Sequence, residues 1–133
     1  MSNPISSYLG LQADALPLRE QRLKLIASNL ANADTPGYRA RDLDFDAALQ
    51  AAAQARAAGR PAAAEPRPGH LPLPDAESPF AAVRTAAQPS LDGNSVDPDA
   101  ERAAYGRAAL EYRASLSFLE SKVRSLMTAI TGQ

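Results

Sequence analysis

Two rows of leucine run through the first part of the chain, each repeating every seven residues. Leu9, Leu16, Leu23 and Leu30, joined by Ile26, form one row, and Leu11, Leu18 and Leu25 form the other. A seven-residue apolar repeat is the period of a helix that packs against helices, so residues 5–33 are predicted to be helical. The rows are offset by two residues, about 200° around a helix, which puts them on nearly opposite sides. One stripe is enough to dock on a single neighbour, whereas two predict neighbours on both sides, as in a polymer or a larger bundle. Pro17 interrupts the segment by removing a donor whose acceptor is the carbonyl of Ala13, and it predicts a kink there or a restart with Asp14 near the N-cap.

The last third repeats the pattern with better marked ends. Asp97 is a natural N-cap, Pro98 suits the first helical position, and Asp99 and Glu101 put negative charge at the positive end of the helix dipole. Gly132 can end the helix. Between these signals Tyr105, Ala109, Tyr112, Leu116, Leu119, Val123, Leu126 and Ile130 alternate steps of four and three, the spacing of a coiled-coil seam. Phe118 and Met127 lie off that seam and predict a second packing surface. Gly106 lowers helix stability by about 1 kcal/mol relative to alanine, which increases the need for support from neighbours.

The middle is different. In Ala31-Asn32-Ala33-Asp34-Thr35-Pro36-Gly37-Tyr38 the helical pattern stops. Asn32 and Asp34 compete with the helical backbone, Thr35 precedes a proline, and Pro36-Gly37 suits the centre of a type II turn. Tyr38 follows as an amphipathic anchor. Residues 39–45 carry mixed charge around Leu43 and Phe45 and read as an extended arm. Residues 46–58 are alanine-rich, with Leu49 as the one large apolar side chain, so a helix there has little apolar area to hold it. Prolines at 61, 66, 68, 72, 74, 79 and 89 then erase any period, predicting a flexible or polyproline-like insert with a short strand near Leu71 or at Phe80-Ala81-Ala82-Val83. A turn at residues 88–94 returns the chain to order.

The fold expected is mainly α: two long terminal helices form an antiparallel coiled-coil pair around an irregular proline- and alanine-rich insert. The segments divide as 1–38, 39–95 and 96–133. Mutual burial of the helices uses one stripe of each and leaves Leu11, Leu18, Leu25, Phe118 and Met127 in need of a cover, the mark of an interaction surface.

Composition narrows the function. Aromatic residues are 5% of 133 and alanine supplies much of the apolar fraction, so a self-sufficient core is not expected. A net charge of −1 offers no basic field to nucleic acid or acidic membranes, and cysteine is absent, which removes disulfides and thiol chemistry. No run is long enough to span a bilayer, and the first residues lack the pattern of a cleavable secretory signal. His70, the only histidine, stands in the proline-rich stretch without a ligand set and reads as a solvated loop residue. Asp42, Asp44 and Asp46 read as the wet side of the arm. Arg19, Arg22, Lys24, Lys122 and Arg124 read as outer-face charges, free to pair with Glu20 or Glu120. No nucleophile elbow, phosphate loop or zinc motif is present, so no catalytic residue, cofactor or metal is expected.

The stretch Ser28-Asn29-Leu30-Ala31-Asn32-Ala33-Asp34-Thr35-Pro36-Gly37-Tyr38, continuing into Arg39-Ala40-Arg41-Asp42-Leu43-Asp44-Phe45, resembles the signature of the bacterial flagellar basal body rod and hook proteins. Gln88-Pro89-Ser90-Leu91-Asp92-Gly93-Asn94-Ser95-Val96-Asp97 and the stretch from Ala109 through Tyr112, Phe118 and Lys122 to Ile130 are similar to the proximal rod members of that family. The resemblance implies a structural subunit whose terminal helices pack into a tubular drive shaft between the membrane ring and the distal rod and hook, required for motility. It implies type III export without a cleaved signal, assembly in the periplasm, and contacts with itself, other rod proteins, the ring-to-rod adaptor protein, the export gate and the membrane ring. The two leucine rows, the C-terminal seam, Phe118 and Met127 are then subunit-interface residues, and Asn32, Thr35, Pro36, Gly37 and Tyr38 form a shaped junction. Two other classes are weighed beside it: a self-contained coiled-coil adaptor or secretion chaperone, against which the doubly apolar helices argue, and a wall hydrolase, for which no catalytic constellation exists. A neighbouring rod paralogue is a further alternative.

Overall fold

The computed structural model describes residues 4–59, 78–85 and 90–132, with side chains from residue 9 onward. Helix α1 (Pro4–Ala31) is followed by strand β1 (Arg41–Leu43), helix α2 (Phe45–Ala57), strand β2 (Ala81–Val83) and helix α3 (Pro98–Thr131). The chain is mainly helical, with one small sheet. β1 and β2 pair antiparallel with Asp42 opposite Ala82. The ladder is extended at its two ends by Arg84 N–H donating to Ala40 C=O (2.8 Å) and Asp44 N–H donating to Phe80 C=O (3.0 Å). Of the two strand positions expected in the middle, Phe80-Ala81-Ala82-Val83 contains β2; the stretch 60–77, with His70 and Leu71, lies outside the described residues.

α1 and α3 lie side by side and run in opposite directions. Near one end Asn29 Nδ2 meets Glu101 Oε2 at 3.3 Å, in the middle Arg19 meets Glu111 at 2.6 Å, and towards the other end Lys122 Nζ meets Gln12 Oε1 at 3.1 Å. α2 and the sheet pack on another side of α1, through Arg56 with Asp14 (3.1 Å) and Arg22 with Asp42 (3.1 Å). Arg19 is also stacked over the ring of Phe45, 4.9 Å from its centroid. Arg19, Arg22 and Lys122 are therefore half-buried ties between elements rather than outer-face charges, while Lys24 pairs with Glu20 on the surface as expected (2.8 Å). Asp42 and Asp44 also have structural work: Asp42 takes the Arg22 guanidinium through two bonds, and Asp44 caps α2 by accepting from Ala47 N–H (3.0 Å).

The core is small. Its buried apolar side chains are Ala15, Ile26, Ala40, Leu43, Ala48 and Ala108, four of them alanines. The free energy of burial scales with apolar area, at about 25 cal/mol per Å², so this interior contributes little per residue.

Both ends of α3 follow their sequence signals. Asp97 accepts from the N–H groups of Asp99 (3.0 Å) and Ala100 (3.1 Å), and Gly132 closes the helix by donating to Thr128 C=O (2.9 Å). The break in α1 is not where the sequence placed it. It falls at Gly10, with φ 34° and ψ −121°, and the helix runs on through Pro17. Pro17 and Ala13 lie on the exposed side of the helix, where the carbonyl left without a donor faces solvent. Gly10 is instead buried beside Arg56, and a Cβ there would lie 3.0 Å from Nη1 of that arginine. Only glycine takes a positive φ without steric cost, so the chain bends at Gly10.

Opposite stability changes are therefore expected at two nearby positions. Gly10→Ala should destabilise the isolated chain by about 1 kcal/mol or more through the strained backbone, whereas Pro17→Ala should stabilise it by about 1–3 kcal/mol by restoring a helical donor. Urea unfolding of the two variants checks both signs.

Candidate assembly surface and turn junction

The face α3 turns towards α1 is made of small and polar side chains. Glu101, Ala108 and Ser115 are its buried residues, with Leu119, Lys122 and Leu126 half-buried further along. This row lies about one residue, or 100°, to one side of the apolar seam read from the sequence. Tyr112, Leu119 and Leu126 sit on the boundary and are half-buried. Tyr105, Leu116, Val123 and Ile130 face outward, with Ile130 75% exposed. Met127 joins this exposed row, and Phe118 (65% exposed) stands on the other flank of the contact. The seam expected to pair with α1 is thus largely open, because alanine and serine let the helix backbones approach while the large side chains are displaced to the sides.

On α1 the leucine rows flank the contact rather than forming it. The buried positions are Ala15, Ile26 and Asn29, which lie between the two rows. Leu9, Leu16, Leu23 and Leu30 are half-buried on one side, Leu18 and Leu25 on the other, and Leu11 is 51% exposed. α2 and the arm supply part of the cover that the second row was expected to need. Leu11, Phe118 and the outward row of α3 remain uncovered.

The turn after α1 is built by hydrogen bonds from distant parts of the chain. Tyr38 N–H donates to Thr35 C=O (3.2 Å), closing a turn with Pro36 and Gly37 at its centre. Gly37 has φ 73°, and proline before it cannot take the positive φ of a mirror-image turn, so this is the type II turn expected. Gly37 N–H then donates to Asp92 C=O (2.9 Å), and Ser95 N–H to Tyr38 C=O (2.9 Å), which lays the segment 90–95 against the turn. A Cβ on Gly93 would stand 3.7 Å from the Gly37 Cα, so the two glycines mark a close backbone approach.

Two side-chain amides complete the junction. Asn94, buried, donates from Nδ2 to the carbonyls of Asn32 (3.0 Å), Ala33 (2.7 Å) and Thr35 (2.9 Å), and its Oδ1 accepts from Val96 N–H (2.8 Å). It supplies the donors that the end of α1 lacks. Asn29, fully buried, accepts from Arg41 N–H (2.9 Å) and donates to Arg41 C=O (2.7 Å), so its amide pairs with β1 as a neighbouring strand would. Tyr38 OH reaches Asn29 Oδ1 at 3.4 Å and Ser28 Oγ at 3.3 Å, anchoring the turn as its position predicted. Asn32 and Thr35 are joined by Thr35 Oγ1 donating to Asn32 Oδ1 (3.2 Å). The sequence reading quoted Asn29 and Asn94 only as parts of longer motifs. A buried polar residue inside an apolar stripe, as at Asn29, is the signal that marks one of them.

Asn94→Ala should destabilise the chain by about 2–3 kcal/mol, since three carbonyls lose their donor together. Asn94→Asp should be at least as damaging, because a carboxylate then faces those carbonyls; urea unfolding reads both. The Asn94 backbone N–H, and after it Ser90, hold the Asp92 carboxyl below its ordinary 3.8. Its pKa is depressed in the folded state, so its contribution is complete above that ordinary value and is lost as pH falls through the folded one. The Asn94 amide resonance should stay constant from pH 7 to 5 and shift only in acid below the ordinary carboxylate range.

No group of histidine, cysteine or acidic side chains able to hold a metal is found among the described residues, and none of their helices is long and apolar enough to cross a membrane. What the surface offers is contact area and a preset junction. The family model described as "Flagella basal body rod protein" matches residues 11–39, which span most of α1 and the turn. The flagellar basal body rod protein FlgB of Escherichia coli (strain K12) is 39% identical over 137 residues, covering 98% of this chain and 97% of that protein. The FlgB of Salmonella typhimurium is 38% identical over 136 residues, with 99% of each chain covered. That of Cereibacter sphaeroides is 42% identical over 127 residues, with 94% of each covered. Similarity at this level runs through helices, junction and arm alike, and the chain belongs to the FlgB family of flagellar basal body rod proteins, a structural and not an enzymatic family.

Proposed function

We propose that this chain is a structural subunit of the proximal rod of the flagellar basal body, polymerising through its two terminal helices. The observation that carries the reading is the outward row of α3: Tyr105, Leu116, Val123, Met127 and Ile130 are large, apolar and exposed beside a contact made of alanine and serine. Exposed apolar rows of this kind mark interaction surfaces. In the rod each subunit covers the rows of its neighbours, so that the coiled-coil seam is completed between chains. The two helices, from 1–38 and 96–133, form the packed wall, and the segment 39–95 forms the part inserted between them.

The partners follow from that location. Other copies and other rod proteins meet the helical rows, and the ring-to-rod adaptor protein, the export gate and the membrane ring meet the subunit at the base of the rod. Assembly takes place in the periplasm after type III export. Folding and assembly are coupled, because the ends of the helix pair farthest from the junction have least to bury in a single chain. Burial against neighbours, at about 25 cal/mol per Å², then offsets the entropy of ordering them.

Val123→Asp and Ile130→Asp test this reading without disturbing the core, since both side chains are exposed. Each variant should keep the helix content of the isolated chain by circular dichroism and abolish swimming in soft agar; normal swimming in both overturns the proposal. In the isolated wild-type chain, amide exchange should be fast across residues 117–131 and slow around residues 26–44 and 95–108. Uniform strong protection in a stable, discrete species favours the self-contained adaptor instead.

A further inference from the structure

β2 buries no side chain deeply. Ala81 is half-buried, and Ala82 and Val83 are exposed. Its tie to the helices is the next residue, Arg84, whose guanidinium contacts Glu101 Oε1 and lies 4.0 Å from Asp42 Oδ2. Glu101 is 0% exposed, in the first turns of α3, and its other oxygen accepts from Asn29 Nδ2 of α1 (3.3 Å). A carboxylate held out of water in this way is stable only while all its partners are in place, and removing one leaves an uncompensated buried charge. Three separate parts of the chain must therefore meet before the site exists: the last turns of α1, the first turns of α3, and the end of β2.

We infer that the Arg84–Glu101 pair is a latch that makes docking of the β2 arm conditional on the pairing of α1 with α3. On an unpaired α3, Glu101 is hydrated, and an exposed ion pair with Arg84 contributes little. Once α1 packs against α3, Asn29 fixes Oε2 and the carboxylate loses its water, so the Arg84 guanidinium becomes the counter-charge it requires. The helices pair first, the arm docks second, and the arm is the first part to leave. The inference rests on the proposed rod function only for its use in assembly, and its test uses the isolated chain, so failure of either can be told from failure of the other.

The readout is amide exchange by nuclear magnetic resonance, corrected for intrinsic rates. The arm is reported by the ladder amides of Asp44 and Arg84, which donate to Phe80 and Ala40, and the helix pair by the amide of Ala108. Arg84→Gln should speed exchange of both ladder amides at least tenfold and leave Ala108 within about twofold of wild type. Glu101→Gln should do the same, and the double variant should be no faster than Arg84→Gln alone. If Glu101→Gln does not fold, Arg84→Gln decides the question by itself. Ile26→Ala, which weakens the helix pair directly, should speed the ladder amides at least as much as Ala108. Unchanged ladder exchange in Arg84→Gln, or Ala108 accelerating in parallel with it, overturns the latch. So does a ladder that stays protected in Ile26→Ala while Ala108 opens.

Discussion

A helix that stops inside a folded chain leaves carbonyls that must find donors, and here Asn94 supplies them from beyond the arm. Its single amide serves three carbonyls at the end of α1, while Asn29, one turn earlier, serves the strand that follows. Both amides are withdrawn from water, so each is satisfied by the protein or by nothing. That requirement fixes the direction in which the chain leaves α1, the register of β1, and the point where the segment before α3 comes back. Everything else in the described structure is arranged around that end.

Apolar packing has the smaller share within a single chain. Alanines fill most of the core, and the larger aliphatic and aromatic groups of α3 stand at its rim. A monomeric protein that kept Ile130, Met127 and Val123 in water would forgo most of the burial available to it. A rod subunit does not forgo it, because those positions become interior once neighbours arrive. The charged ties between elements, such as Arg22 with Asp42 and Arg19 with Glu111, set orientation and contribute little net stability, since all are partly solvated.

The ends of α3, the type II turn at Pro36-Gly37 and the strand at residues 81–83 were legible in the sequence, because local chemistry decides each of them. The contact face of α3 was not. Periodicity of large apolar residues reports which positions avoid water in the finished assembly, and it does not distinguish a partner in the same chain from one in the next. Ala108 and Ser115 carry almost no weight in such a pattern, yet they are what touches α1. Pro17 misled for a related reason: its cost depends on whether the stranded carbonyl is buried, which no local pattern reveals. The bond partners of Asn94 lie about sixty residues away and were beyond any local reading.

The contact between α1 and α3 has a mechanical consequence. Where large side chains interlock, two helices cannot shift along one another without lifting over each knob; alanine and serine present no such obstacle. The pair is therefore pinned at the end that holds Asn29 and Glu101 and comparatively smooth beyond it, like two staves bolted at one tip. In a shaft that carries torque, wall elements of this kind yield by small axial slips at their free ends while the bolted ends keep their spacing.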